Sequence, residues 1–364
     1  MTLKVMSVVG ARPQFVKLAP IDHAFADAGI DHVIVHTGQH YDPLLSTSFF
    51  EELKINSPDY HLNVGSGPHG EQTGRMLIDL EPVMIKEDPD WVLVYGDTNS
   101  TLAAAVCAGK LGLPTAHLEA GLRSFNRSMP EEHNRVLTDH SADLLLAPTE
   151  VGVRHLADEG LAARTVLVGD VMTDVLYQTR DAVAELPLPL AAMEENEGEY
   201  FVATLHRPQN TDDPDRLAAA LQALEDLDSP VFLLAHPRLR SVAEGLGLTA
   251  QVAGSNLHWC DPLPYPQLVR AVMGARGVIT DSGGLQKEAF LLRIPCTTVR
   301  TETEWTETVD LGWNVLVAPG PKMADAALRP TPAPTTATPY GDGHAAQRVA
   351  QTLRAAAIEG TDIQ

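Results

Sequence analysis

The sequence predicts an α/β protein built from two Rossmann-like, doubly wound halves. Three observations carry this. The chain has 364 residues, more than a single core of roughly 250–300 residues normally holds. Short apolar runs alternate with amphipathic helical stretches. The runs are nearly continuously apolar, as parallel strands covered on both faces require. Leu3 to Val9 is the first such run and leads directly into Gly10. Residues 14–28 follow as a helix, with Phe15, Leu18, Ile21 and Phe25 on one face and Pro20 as a potential kink. Further strands are expected at 32–36, 91–95 and 143–147, with a helix after Pro130 before the last. The alternation restarts at 165–168 and continues at 200–204, 231–235 and 277–280. The expected domains are residues 1–169 and 170–344, with a terminal helix at 345–360 packing back on the first. A Pro/Thr-rich stretch, TPAPTTATP, closes the second half.

Composition narrows the function. Lys and Arg number 26 against 48 Asp and Glu, a net charge of −22. That balance disfavours nucleic acid and anionic membrane as partners, so an anionic ligand must be met by a few local cations and helix N-termini. No apolar run approaches the ~18 residues of a membrane span, and the first ten residues read as a strand, not a signal peptide. Cys107, Cys260 and Cys296 show no pairing or metal spacing, so a reducing cytoplasm and no metal are expected.

Candidate chemistry falls at strand ends, where open parallel sheets bind ligands. After the first strand, Gly10 is followed by Arg12 and Lys17 near a helix start, or a plain turn with solvated charges. Asp97 follows the 91–95 strand and is either a working acid or the N-cap of a helix at 100–111. Glu119 ends an apolar run, an expensive place for a carboxylate unless it is paired or used. Glu131 and Glu132 fall in the first turn after Pro130, where they suit the helix dipole or acid/base work. His206 and His236 stand at later strand ends. Thr280–Glu288 (TDSGGLQKE) places two glycines at a helix start, where backbone N–H groups can meet a diphosphate, with Glu288 placed for ribose hydroxyls. It is neither G-x-G-x-x-G nor a Walker sequence, which disfavours NAD and ATP.

Together these stretches resemble the non-hydrolysing UDP-N-acetylglucosamine 2-epimerases, nearly end to end. The carrying segments are GARPQFVKLAP, TGQHYD, YGDTNSTLAAA, HLEAGLRS, MPEEHNR, ATLHRPQN, AHPR, TDSGGLQKEA, RTETEWTE and PYGDG. The resemblance implies a GT-B glycosyltransferase-like fold, a UDP-sugar substrate, no redox cofactor and a homodimer. It implies C2 epimerisation of UDP-GlcNAc to UDP-ManNAc through elimination of UDP and readdition to a 2-acetamidoglucal. It assigns acid/base work to Asp97, Glu119, Glu131 and His206. Substrate contacts fall to Arg12, Lys17, Arg135, His236, Ser282, Gly283, Gly284 and Glu288. Three positions depart from the family pattern: Gln14 stands for an acid, Trp305-Thr306-Glu307 replaces R-P-E, and Tyr41-Asp42 stand where substrate-activated members carry effector contacts. These variants resemble the subgroup that epimerises UDP-2,3-diacetamido-2,3-dideoxyglucuronate. A GT-B glycosyltransferase is the remaining alternative, although it would not need the clustered acids.

Overall fold

A computed structural model describes residues 2–39, 55–249 and 256–360 of the protein. Tyr41 and Asp42, and the side chain of Arg12, lie outside the described residues. The chain divides into two compact units, Met1–Val175 with Thr338–Gln364, and Leu176–Ala337. Both are α/β with parallel sheets, as the strand–helix alternation predicts.

Among the described residues the first unit holds seven strands: β1 (Lys4–Val9), β2 (Asp31–His36), β3 (Tyr60–His61), β4 (Trp91–Tyr95), β5 (Thr115–Leu118), β6 (Leu144–Ala147) and β7 (Thr165–Leu167). Their order is β3-β2-β1-β4-β5-β6-β7, all parallel, so the winding reverses between β1 and β4. Side chains alternate between two apolar layers. Val5 and Val9 pack under Leu18, Ile21 and Phe25 of the helix Arg12–Ala28, which continues through Pro20. Met6 and Val8 pack under Met76, Leu80 and Met84 of the helix His69–Glu87. The helix Ala345–Gly360 adds Val349 and Leu353 to the first layer. Truncating Leu353, which is fully buried, to Ala would cost about 2–5 kcal/mol. The start of this helix is held within the unit, because the buried Asp174 carboxylate accepts the Ala345 and Ala346 N–H groups at 3.0 and 2.8 Å.

The second unit holds β8 (Phe201–Thr204), β9 (Val231–Leu234), β10 (Leu257–Cys260), β11 (Gly277–Thr280), β12 (Cys296–Thr298) and β13 (Asn314–Leu316). Their order, β10-β9-β8-β11-β12-β13, repeats the same reversal between β8 and β11. The strands β3, β10, β12 and β13 escaped the sequence reading. Each has only two to four residues, too few to show a period.

Candidate active site

In the first unit the strand register brings three loops to one level. Val8 pairs Val94 and Tyr95 pairs Leu118, so Gly10, Gly96 and Glu119 follow neighbouring strand ends. Gly10 is required by close approach: a Cβ there would lie 2.1 Å from Thr37 Oγ1 and 2.2 Å from Ser100 Oγ. Gln14 ties the first loop to the second. Its Oε1 accepts the Gly10 and Ala11 N–H groups at 2.8 and 3.0 Å, and its Nε2 donates to the Tyr95 carbonyl at 2.8 Å. An ionised carboxylate in this position could not make the last bond.

Lys17 reaches from the first helix to an ion pair with the Glu119 carboxylate. Burial lowers the lysine's pKa, but Glu119, then Asp170 and Asp97, outweigh it and hold the ammonium above its usual range. Glu119 itself sits at φ +74°, a strained left-handed conformation for a non-glycine residue. Gly96, at φ +63°, leaves room for this pair, since a Cβ would lie 3.1 Å from Glu119 Oε2.

Asp97 is not an N-cap. Thr98 caps the helix Asn99–Leu111, accepting the Thr101 N–H, because Asp97 stands one residue too early. Its carboxylate instead meets the Arg135 guanidinium at 2.6 Å. Arg135 also pairs with Glu132, and although burial lowers its pKa, Asp97 and then Glu132 raise it above its ordinary value. Glu132 is buried and accepts the Ser124 N–H, the Ser124 hydroxyl and the Phe125 N–H, each at 2.9 Å, so it orders the preceding loop. Burial raises its pKa, but these bonds and Arg135 outweigh it and leave the carboxyl below its usual range. Glu131 is exposed in the same first helical turn.

In the second unit, Ala203 pairs Leu233 and Thr204 pairs Thr280, so His206, His236 and Asp281 gather at one sheet edge. His236 caps the helix Pro237–Gly245, its Nδ1 accepting the Arg238 N–H at 3.3 Å. Ser282 caps the helix Gly283–Leu291, and the Gly283 side faces the Glu304 carboxylate, which a Cβ would meet at 2.3 Å. Gly284 is exposed. Glu288 Oε1 accepts the Tyr265 hydroxyl at 3.1 Å, and burial followed by the Glu288 charge raises the phenol's pKa. Trp305 lends its ring face to the Lys287 ammonium, 4.4 Å from the centroid.

Two partners went unnoticed in the sequence. Asp281 stands in the TDSGGLQKE stretch but bonds to His206, 75 residues away, and Tyr265 donates to Glu288 from 23 residues away. Neither carries a local signal, because each acts through a contact between separate segments. Among the described residues there is no group of three or more His, Cys, Asp or Glu able to hold a metal ion.

The loops at the strand ends, and the glycine pair at a helix start, occur in an order and spacing shared with known proteins. Residues 23–354 match the family described as UDP-N-acetylglucosamine 2-epimerase. The chain is 45% identical over 362 residues to the UDP-2,3-diacetamido-2,3-dideoxy-D-glucuronate 2-epimerase of Pseudomonas aeruginosa, covering 96% of this chain and 99% of that one. The solved UDP-GlcNAc 2-epimerase of Methanocaldococcus jannaschii matches with a TM-score of 0.86 at 37% identity, over 98% of this chain and 100% of that one. A crystal structure of the same enzyme in complex with UDP-GlcNAc and UDP matches with a TM-score of 0.77 over the same shares, also at 37% identity. With the match spanning almost every element of both sheets, the chain belongs to the UDP-N-acetylglucosamine 2-epimerase family of isomerases.

Proposed function

We propose that this enzyme inverts C2 of a UDP-linked 2-acetamido sugar, interconverting UDP-GlcNAc and UDP-ManNAc. A base takes the C2 proton while the C1–O bond to UDP breaks, leaving a 2-acetamidoglucal and UDP. The diphosphate oxygen then re-adds to C1, and a proton is delivered to the other face of C2. Oxidation state is conserved overall, so no redox cofactor is needed. The observation that carries the reading is the pair of carboxylates at adjacent strand ends, Asp97 after β4 and Glu119 after β5, each held by a cation. In this reading Asp97, Glu119, Glu131 and His206 move protons. Arg12, Lys17, Arg135 and His236 line the substrate, and Ser282, Gly283, Gly284 and Glu288 hold UDP. An anion at the N-terminus of the helix Gly283–Leu291 would be favoured by its free N–H groups.

The 45% identical relative favours a second substrate, UDP-2,3-diacetamido-2,3-dideoxyglucuronate, turned over by the same chemistry. Incubating the protein with each UDP-sugar in deuterium oxide and following it by NMR separates the two. The true substrate should gain deuterium at C2 in both epimers. An epimer formed with C2 protium fully retained would sink the elimination mechanism. We also infer, from the family resemblance, a cytoplasmic homodimer supplying precursors for surface polysaccharide. None of the described helices is long and apolar enough to cross a membrane, and sedimentation of the purified protein tests the dimer.

A further inference from the structure

Behind the ends of β4 and β5 the first unit buries a set of charged groups to which the acid/base assignment gives no role. His117 on β5 and Asp139 on the helix Pro130–Ser141 are both fully buried. His117 Nδ1 lies 2.7 Å from Asp139 Oδ1, and its Nε2 lies 2.7 Å from the Gly96 carbonyl oxygen. Both neighbours are acceptors, so the ring donates from both nitrogens. The other Asp139 oxygen accepts the Gly121 N–H at 3.1 Å and pairs with Arg123 at 2.7 Å. Arg123 is in turn anchored on Glu159, through Nε at 2.7 Å and Nη2 at 2.9 Å.

The peptide groups held in this way belong to the turns that carry the two acids. Gly96 immediately precedes Asp97, and Gly121 follows Glu119 by two residues. Gly96, Glu119 and Gly121 all hold positive φ, at +63°, +74° and +83°, so neither turn is the extended continuation of its strand. Burying charge at this depth is unfavourable unless every group is paired, and apolar side chains of the same volume would fill the space as well. An apolar pair could not, however, bond one turn's carbonyl and the other turn's N–H.

We propose that the His117–Asp139 pair is a positioning device that fixes the spacing of Asp97 and Glu119. This rests on reading those two as the acid/base groups. His117 and Asp139 touch neither substrate nor reacting atoms in this account. They act through the backbone of the two turns.

Two variants of His117 separate positioning from packing. Glutamine can keep a donor near the Nε2 position, facing Gly96, whereas asparagine keeps one only near Nδ1. The structure predicts that His117→Asn lowers kcat about 100-fold, in line with the cost of an ångström-scale misplacement. His117→Gln should recover kcat to within about tenfold of wild type. UDP affinity should stay within about twofold in both, because the proposed UDP cradle lies in the other unit. Equal kcat losses in the two variants, or losses that follow Tm and UDP affinity together, would overturn the proposal. In the unaltered protein, NMR should show two slowly exchanging ring N–H protons on His117, and a single one would overturn the clamp even if both variants fail to fold. Wild-type protein that exchanges no C2 proton of any UDP-sugar would instead sink the functional reading, and the ring protons would still decide the clamp.

Discussion

The Asp281 carboxylate accepts His206 twice: Oδ1 lies 2.9 Å from the imidazole Nδ1, and its two oxygens lie 3.0 and 3.1 Å from the His206 backbone N–H. It also accepts the Arg207 N–H at 2.9 Å and the Asn210 amide at 3.1 Å. Burial raises the carboxyl's pKa, yet the His206 bond and these donors outweigh it and hold it below its ordinary value of 3.8. The imidazole itself is half exposed, with Nδ1 committed to Asp281, so in the proposed reaction Nε2 is the nitrogen that would exchange the proton.

Asp281→Asn should therefore damage the reaction more than the fold. The amide no longer selects the Nδ1–H tautomer, and kcat should fall about 100-fold, the lower end of what an acid/base group contributes. Circular dichroism should remain that of wild type. A kcat within twofold of wild type would remove His206 from proton transfer.

His36 gives a pH signature. Burial, and then the charge of His61, push its pKa down from 6.5 to about 4, and the ring stacks on Phe15 at 5.0 Å. Between those pH values the unfolded chain binds a proton that the folded ring refuses. The stabilisation is thus complete above pH 6.5 and is lost as pH falls towards 4, by ~3 kcal/mol at 1.36 kcal/mol per unit. Urea unfolding of wild type and His36→Phe from pH 7 to 4.5 should show a shallower acid slope for the variant. Parallel curves would refute the assignment.

Gln14→Leu should be strongly destabilising although the volumes are similar. It leaves the buried Gly10 and Ala11 N–H groups without their acceptor, at about 2–4 kcal/mol together. Chemical denaturation measures this, and a loss below about 0.5 kcal/mol would mean that the loop finds other partners.

Gly284 should show opposite effects on stability and binding. A Cβ there meets nothing closer than Ser282 Oγ at 4.0 Å, and its φ is not left-handed. Gly284→Ala should then stabilise the protein by about 0.5–1 kcal/mol, through the lower chain entropy of the unfolded state. If the helix start cradles a diphosphate, the added methyl should nonetheless weaken UDP binding about tenfold. Calorimetry with UDP alongside thermal unfolding reads both, and unchanged UDP affinity would place the diphosphate elsewhere.

The sequence alone determined the α/β class, the doubly wound halves, and the level at which Asp97, Glu119 and His206 emerge. Long apolar runs such as β1 and β4 must be buried on both faces, and polar residues directly after them must lie at the sheet edge. The tertiary structure decided the partners: Lys17 meets Glu119 across 102 residues, Arg135 meets Asp97 across 38, and Asp174 caps a helix that begins 171 residues later. These pairs depend on which strands become neighbours and in what register, and where the reversal falls, between β1 and β4 and between β8 and β11, is decided by the packed sheets and by no local pattern. The same reason explains Asp97. Its position after a strand suited a cap, the commoner outcome, or an acid, until Thr98 took the cap and Arg135 came within reach from another helix.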